Sequence, residues 1–390
     1  MGVISSLGYT LFDNHTSLRK GQTGIGQVHH FQSNYADMLP FAEIKCADQE
    51  LVKRNKIDND PSLTRTTLIA MHAFDEAITH AQLTTEELQS SRTAFLSSST
   101  VGGMCYTDAL YADANDTGNV SPFVASYEGS DHTVRIALKY GLKGYTDTIN
   151  TACSSSANAI LIGMKLIQSG RVDRAIVGGA DCLAKYTVNG FNSLRILSEE
   201  PCKPFDVHRN GLTLGEAAAY LVLEAEELVG DKVKWAVVSG GGNANDAFHP
   251  SATSENARGP VLAMERALQQ AGLSAKDINY INAHGTGTEN NDRTESIAFQ
   301  HVFGSPPPFN STKSYTGHTL AAAGAIESVF TVLSLFYQEL YPSLNCADPQ
   351  PEFPFQPIVN LATNHTIQHA MTNSFGFGGN CTSLVLSKCS

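Results

Sequence analysis

The residue best suited to covalent chemistry is Cys153, in the run Thr151-Ala152-Cys153-Ser154-Ser155-Ser156-Ala157-Asn158-Ala159-Ile160. An extended segment, 147–150, leads into it. A helical pattern follows, with an apolar face at Ile160, Leu161, Met164 and Ile167 and an end at Gly170. A cysteine at such a helix start is flanked by side chains too small to wall it off, and the free N–H groups and dipole there favour a thiolate. The same pattern also suits a cysteine that merely packs a helix. Two histidines tip the balance. His284 stands in Asn282-Ala283-His284-Gly285-Thr286-Gly287-Thr288 after the strand-like 278–281, and His318 closes Lys313-Ser314-Tyr315-Thr316-Gly317-His318. One histidine alone is usually structural; two in Gly/Thr-rich turns, with a cysteine at a helix start, point to a Cys–His–His site. Lys313 and Glu327 flank His318 as orienting charges that would pair with each other if buried. In Asn373-Ser374-Phe375-Gly376-Phe377-Gly378-Gly379-Asn380 the glycines free backbone N–H groups to face a developing oxyanion, and the phenylalanines suit an apolar channel.

The elements that must position these residues alternate between strand and helix. Apolar steps of three and four from Leu63 through Thr67, Met71, Phe74 and Ile78 predict a helix, and 94–97 predicts a short strand followed by a small-residue turn at 98–103. A second helical stretch is expected within 121–140. Buried strands are expected at 174–180, 219–223, 234–239 and 383–386, and an amphipathic helix over 260–271, ended by Gly272. The chain to about Lys56 reads as polar loop, with Met1–Gly8 resembling the end of a strand that enters a glycine turn. The whole argues an α/β fold with mostly buried sheets. One echo stands out: 310–318 leads into the small-residue run 319–325 and an apolar helix, repeating the plan around Cys153.

Composition narrows the functional classes. Hydrophobic residues make up 42% and charged residues 16% of 390, which suits a well-cored chain of two ordinary domains or one fused unit. A formal net charge of -12 provides no basic stripe for nucleic acid. The eight cysteines form no C-x-x-C pair and no zinc-spaced cluster, so no metal is expected and a reducing compartment is. Neither a secretory signal nor a membrane-spanning apolar run is read, which makes the cytoplasm the expected location.

The Ala-Cys-Ser-Ser-Ser segment, the His284 turn, Lys313–His318 and Asn373–Gly379 resemble, in order, the signatures of elongating beta-ketoacyl-acyl-carrier-protein synthases. Lys203-Pro204-Phe205-Asp206, Arg209-Asn210-Gly211 and Leu214-Gly215-Glu216 are similar to that family's central segment. The resemblance implies a thiolase-like α/β fold of two pseudo-symmetric halves in five layers, α-β-α-β-α. Residues 1–228 would carry the nucleophile and 229–390 both histidines. It implies that Cys153 takes an acyl chain as a thioester and that His284 and His318 hold malonyl-carrier protein through decarboxylation. The N–H groups of Cys153 and Phe377 would form the oxyanion hole, and Lys313 and Glu327 would set the field around His318. Thr286 and Thr288 would contact the phosphopantetheine arm, which arrives on the carrier protein, so no cofactor is implied. Phe377 would be a gate; Val101, Phe191 and Phe375 would line the acyl pocket; Arg195 would touch the carrier protein. A homodimer, or a heterodimer with a chain-length-factor-like subunit, is implied.

Gly378-Gly379-Asn380-Cys381 replaces the family's usual Gly-Gly-Thr-Asn, and Gly215-Glu216-Ala217-Ala218 its Gly-Glu-Gly-Ala. Few basic residues lie near Arg195 in sequence. These departures favour a specialised type II polyketide, aryl polyene or flexirubin-like synthase over a fatty-acid elongator. The rival classes are a non-catalytic length-setting subunit, opposed by the intact Cys153/His284/His318 set, and a CoA-dependent thiolase, which would need Cys381 as a second catalytic cysteine.

Overall fold

Segments such as Arg174–Asp181 and Ala217–Ala219 are buried on both faces, as their runs of small and branched apolar residues require of interior sheet. The computed structural model describes residues 1–58, 60–116 and 120–389. Its strands there are β1 (Gly2–Ser5), β2 (Thr93–Ser98), β3 (Thr146–Ile149), β4 (Arg174–Asp181), β5 (Ala217–Glu224), β6 (Val237–Asn245), β7 (Tyr280–Asn282), β8 (Phe309–Asn310), β9 (Glu339–Leu340), β10 (Ala362–Thr363), β11 (His369–Phe375) and β12 (Asn380–Ser387).

Apart from the small β9–β10 pair, these strands make two five-stranded mixed sheets, ordered β1-β5-β4-β2-β3 and β6-β12-β11-β7-β8. The second order repeats the first strand for strand. Each sheet joins its first three members antiparallel and its last three parallel. Helices Ser155–Gln168 and Ala323–Tyr337 lie between the sheets. Helices Arg65–His80 and Asp131–Tyr140 cover the outside of the first sheet, while Arg258–Ala271, with Glu289–Phe303 beside it, covers the second. The result is the five-layer, pseudo-symmetric α/β architecture expected. The segment 320–337 is apolar and long enough to cross a bilayer, which the sequence reading overlooked. It is 89% buried between the sheets, so its hydropathy is that of a core helix.

Several boundaries differ from expectation. Helix over 121–140 is confined to Asp131–Tyr140, because Pro122 and Gly129 interrupt the preceding turns. The strand expected at 234–239 starts at Val237 and runs to Asn245, its second half hidden in the glycine run 240–242. The N-terminal region holds β1 and helices Leu11–Arg19 and Asp48–Arg54 as well as loop.

The repeat becomes functional where the central helices begin. Ala152 and Leu320 both adopt a left-handed backbone, with φ of 53° and 54°, and each stands three residues ahead of its helix. Such a conformation costs a residue with a Cβ about 1 kcal/mol and turns the next residue outward from the sheet. In the first half that residue is Cys153; in the second it is Ala321, with His318 three residues earlier. The two helix starts touch. The Ser156 hydroxyl accepts from the Ala325 N–H at 2.8 Å, and a Cβ on Gly324 would lie 2.6 Å from the Ala157 nitrogen. That backbone cannot give way, so Gly324→Ala should destabilise the protein by about 1–3 kcal/mol, read as a lower midpoint in denaturant. Unchanged stability would mean the helix starts have slack.

Candidate active site

Cys153 follows the strained turn and is 5% exposed. The Ser155 hydroxyl accepts from the Thr151 N–H at 2.9 Å and donates to the Ala152 carbonyl, fixing the turn from within the helix. The backbone N–H groups of Phe377 and of Cys153 itself both face the sulfur. Phe377 reaches this place because Gly376 lies flat against the turn: a Cβ there would stand 2.7 Å from the Thr151 carbonyl oxygen. The thiolate-favouring donors read from sequence are therefore present. Burial nevertheless outweighs them and pushes the thiol up to about 11, against the Phe377 N–H, the Lys313 charge and the Cys153 N–H.

His284 and His318 come from the turns after β7 and β8, both 2% exposed, with ring centroids 5.4 Å apart in an edge-to-face arrangement. Each has its Nδ1 engaged. The Leu320 N–H donates to His318 Nδ1 at 3.1 Å, and the Lys313 ammonium lies 3.1 Å from His284 Nδ1. Both rings are thus assigned the tautomer that carries its proton on Nε2. Burial holds both imidazoles well below the ordinary histidine value, and the Lys313 charge adds to this. They are neutral hydrogen-bond donors at physiological pH.

Lys313, 1% exposed, donates its three N–H bonds to the His284 carbonyl at 2.6 Å, to His284 Nδ1 and to Glu327 Oε1. The expected Lys313–Glu327 pairing is thus seen, but its hydrogen bonds go to His284 and not to His318, on which Lys313 acts through its charge. Burial pushes Glu327 up to about 7 despite Lys313, and its Oε2 has no partner among the described residues.

Two cavities meet at the cysteine. One, about 910 Å³, is lined by Cys153, Leu320, Phe191, Phe377 and the helix Lys185–Ser193. The other, about 700 Å³, is lined by Cys153, His284, His318, Thr286, Thr288, Phe375 and the turn 376–379. Phe191 and Phe377 line both and stack with centroids 5.6 Å apart, so this ring pair stands between the two spaces. Thr286 and Thr288 hydrogen-bond each other at 2.8 Å. Phe375 packs on His284 at 5.6 Å and lines the histidine-side cavity. Val101 lies in the core, its N–H donating to Asp181, and lines neither cavity. Exposed Arg195 sits at the mouth of the histidine-side cavity with Arg209 and Arg293, basic neighbours that are remote in sequence.

Other positioning groups went unread. Asp181, at the end of β4, accepts from Ser99, Thr100, Val101 and the Ala321 N–H, tying the first half to the second helix start. Glu295 accepts from the N–H groups of His284 and Gly285, and Asp292 from those of Thr286 and Gly287. Carboxylates three apart at a helix start behind the Gly/Thr turn were the available signal. Asn380, noted only as a departure, accepts at 2.8–2.9 Å from Ser154, Asn158 and Asn243, pinning the base of the Phe377 turn to the cysteine helix. Cys381, next to it, is buried against Gly259 and lines neither cavity, which leaves a thiolase reading without its second cysteine.

Comparison with known proteins agrees with this geometry. Residues 1–228 match the beta-ketoacyl synthase N-terminal domain and 235–347 the beta-ketoacyl synthase C-terminal domain. The chain is 32% identical over 405 residues to 3-oxoacyl-[acyl-carrier-protein] synthase 2 of Staphylococcus aureus, covering 100% of the chain and 97% of that protein. It is also 32% identical over 406 residues to the chloroplastic 3-oxoacyl-[acyl-carrier-protein] synthase II of Arabidopsis thaliana, covering 99% of the chain and 74% of that protein. Among solved structures, the ishigamide ketosynthase/chain length factor superposes with a TM-score of 0.91 at 27% identity, covering 100% of this chain and 98% of that one. A ketosynthase in complex with its chain length factor from Xenorhabdus doucetiae superposes with a TM-score of 0.81 at 31% identity, covering 100% and 96%.

Neutral histidines make a test by nuclear magnetic resonance. The His284 and His318 ring signals should not titrate between about pH 6 and 8. In Lys313→Met, which removes a depressing charge that ranks second to burial for both rings, their midpoints should rise part of the way toward 6.5. A wild-type midpoint near 6.5 would show that the rings become imidazolium.

Proposed function

The chain belongs to the beta-ketoacyl synthase family, and on that premise we propose that it catalyses decarboxylative condensation of an acyl thioester on Cys153 with malonyl-carrier protein. Membership makes it a ketosynthase-type condensing acyltransferase; the residue roles and the pathway are the reading offered here. One observation carries it: two neutral imidazoles with free Nε2–H groups and a cysteine with two facing N–H donors share one dry junction between two cavities.

In the first half-reaction the Cys153 sulfur attacks the incoming thioester carbonyl. The N–H groups of Cys153 and Phe377 hold the oxyanion, where one such donor is worth about 3 kcal/mol. The carbon–sulfur bond to the carrier breaks, and the carrier thiol leaves with the proton of the cysteine. Malonyl-carrier protein then enters past Arg195, Arg209 and Arg293, its arm alongside Thr286 and Thr288. The Nε2–H groups of His284 and His318 donate to its thioester oxygen. As the bond to carboxylate breaks, carbon dioxide departs and the electron pair becomes an enolate that those two donors stabilise. The enolate carbon attacks the Cys153 thioester, a carbon–carbon bond forms, and the Cys153 thiolate leaves and takes a proton from water. A 3-oxoacyl chain two carbons longer remains on the carrier. Burial, reinforced by the Lys313 charge, keeps both rings neutral, Lys313 and the Leu320 N–H hold their protons on Nε2, and Phe377, stacked on Phe191 between the two cavities, is the gate in this reading.

The product class we favour is a specialised type II polyketide, of aryl polyene or flexirubin-like kind. Full-length likeness to structures described as ketosynthase with chain length factor supports it, as does the Asn380 anchoring of the gate. The same likeness supports a chain-length-factor-like second subunit; a homodimer is the other arrangement. Strand β3, at the free edge of its sheet with Thr146 and Asp147 exposed, offers a place for added strand pairing. Fatty-acid elongation is the second reading, favoured by the equally complete likeness to the Staphylococcus aureus enzyme.

Cys153→Ala should lower elongation with malonyl-carrier protein on the order of 10³-fold or more while the thermal midpoint stays put. Elongation that persists would remove Cys153 from its role.

A further inference from the structure

The cavity on the acyl side of Cys153 is not a uniform hydrocarbon sleeve. Beside the cysteine it is apolar, with Ala152, Leu320, Phe377 and the stacked Phe191. Farther out along the helix Lys185–Ser193 the lining changes character. At about 1.5 Å of rise per residue, Thr187 stands about 6 Å and Lys185 about 9 Å along the axis from Phe191. Thr187 is a buried residue on the cavity wall, and its hydroxyl has no hydrogen-bond partner among the described residues. Asn189 lines the same space as an exposed residue, its amide open to water. At the rim, Lys185 and Asp108 close an ion pair of 2.8 Å across the cavity lining.

A saturated chain laid along this wall would displace water from the Thr187 hydroxyl and return no hydrogen bond, and a buried polar group left unpaired discriminates against such a ligand. A hydroxyl or ketone oxygen at that depth would satisfy it, since a threonine hydroxyl can both donate and accept. The Lys185–Asp108 pair neutralises its own charge, so a neutral oxygen fits better than an ionised group.

We infer that the acyl cavity selects chains bearing a neutral oxygen several carbons from the thioester over saturated hydrocarbon chains of equal length, with Thr187 as the specificity-determining residue. This inference rests on the reading of Cys153 as the acyl-accepting nucleophile. The test is a competition between octanoyl-pantetheine and 8-hydroxyoctanoyl-pantetheine for the wild-type protein, with the Cys153 adducts counted by intact mass. The hydroxylated chain should load about tenfold faster or more. The near-isosteric Thr187→Val should bring that ratio toward one, chiefly by slowing the hydroxylated chain. Equal loading by wild type, faster loading of octanoyl, or a ratio unmoved by Thr187→Val would overturn the selectivity while leaving the nucleophile in place. An absence of any adduct from either chain would overturn the ketosynthase reading itself, and this inference with it.

Discussion

The contact on which the molecule depends is the one between the starts of its two central helices, where Gly324 lies against the backbone of Ala157 and Ser156 bonds to Ala325. Each half of the fold ends a parallel strand in a turn that aims side chains at this crossing. A separation larger by one side chain would leave Cys153 of the first half out of reach of His284 and His318 of the second. Backbone contact of this kind admits only small residues, which explains the composition of 154–159 and 321–325 better than helix propensity does. Asp181 and Asn380 then brace the crossing from its two sides, one through the Ala321 N–H and the other through Ser154 and Asn158.

Bringing the helix starts together also dries the site, and dehydration sets its electrostatics. Burial raises the cysteine thiol and Glu327 and lowers both histidines; in each case it is the leading cause. The buried ammonium of the site, Lys313, is tolerated because all three of its protons have acceptors. Its charge reinforces the neutral state of the rings, and that state suits donors to an enolate oxygen. A thiol that stays protonated until substrate arrives is consistent with the same dryness.

Much of the fold and most of the candidate site residues were legible in the sequence, because they depend on local features. Strand–helix alternation and the echo between 147–168 and 310–333 point to two halves built on one plan. Cys153, His284 and His318 sit in short runs of small residues that stand out in the sequence by themselves. What remained hidden was non-local. Arg209 and Arg293 join Arg195 only through the fold, and Asp181 reaches Ala321 across 140 positions. The echo also misled in one respect: the place equivalent to Cys153 belongs to Ala321, since the left-handed turns at Ala152 and Leu320, not the histidine, mark the correspondence. Val101 illustrates the limit of matching by resemblance, for its side chain belongs to the core and its N–H to Asp181.

The central claim is a division of labour across the helix crossing, with acyl transfer on the cysteine of one half and decarboxylation by the neutral histidines of the other. Carbon dioxide release from malonyl-pantetheine, measured in the absence of any acyl donor, separates the two. Cys153→Ala should still release carbon dioxide, whereas His284→Ala and His318→Ala should each lose about 10²-fold or more of that release. Release that disappears with the cysteine and survives loss of either histidine would contradict the account.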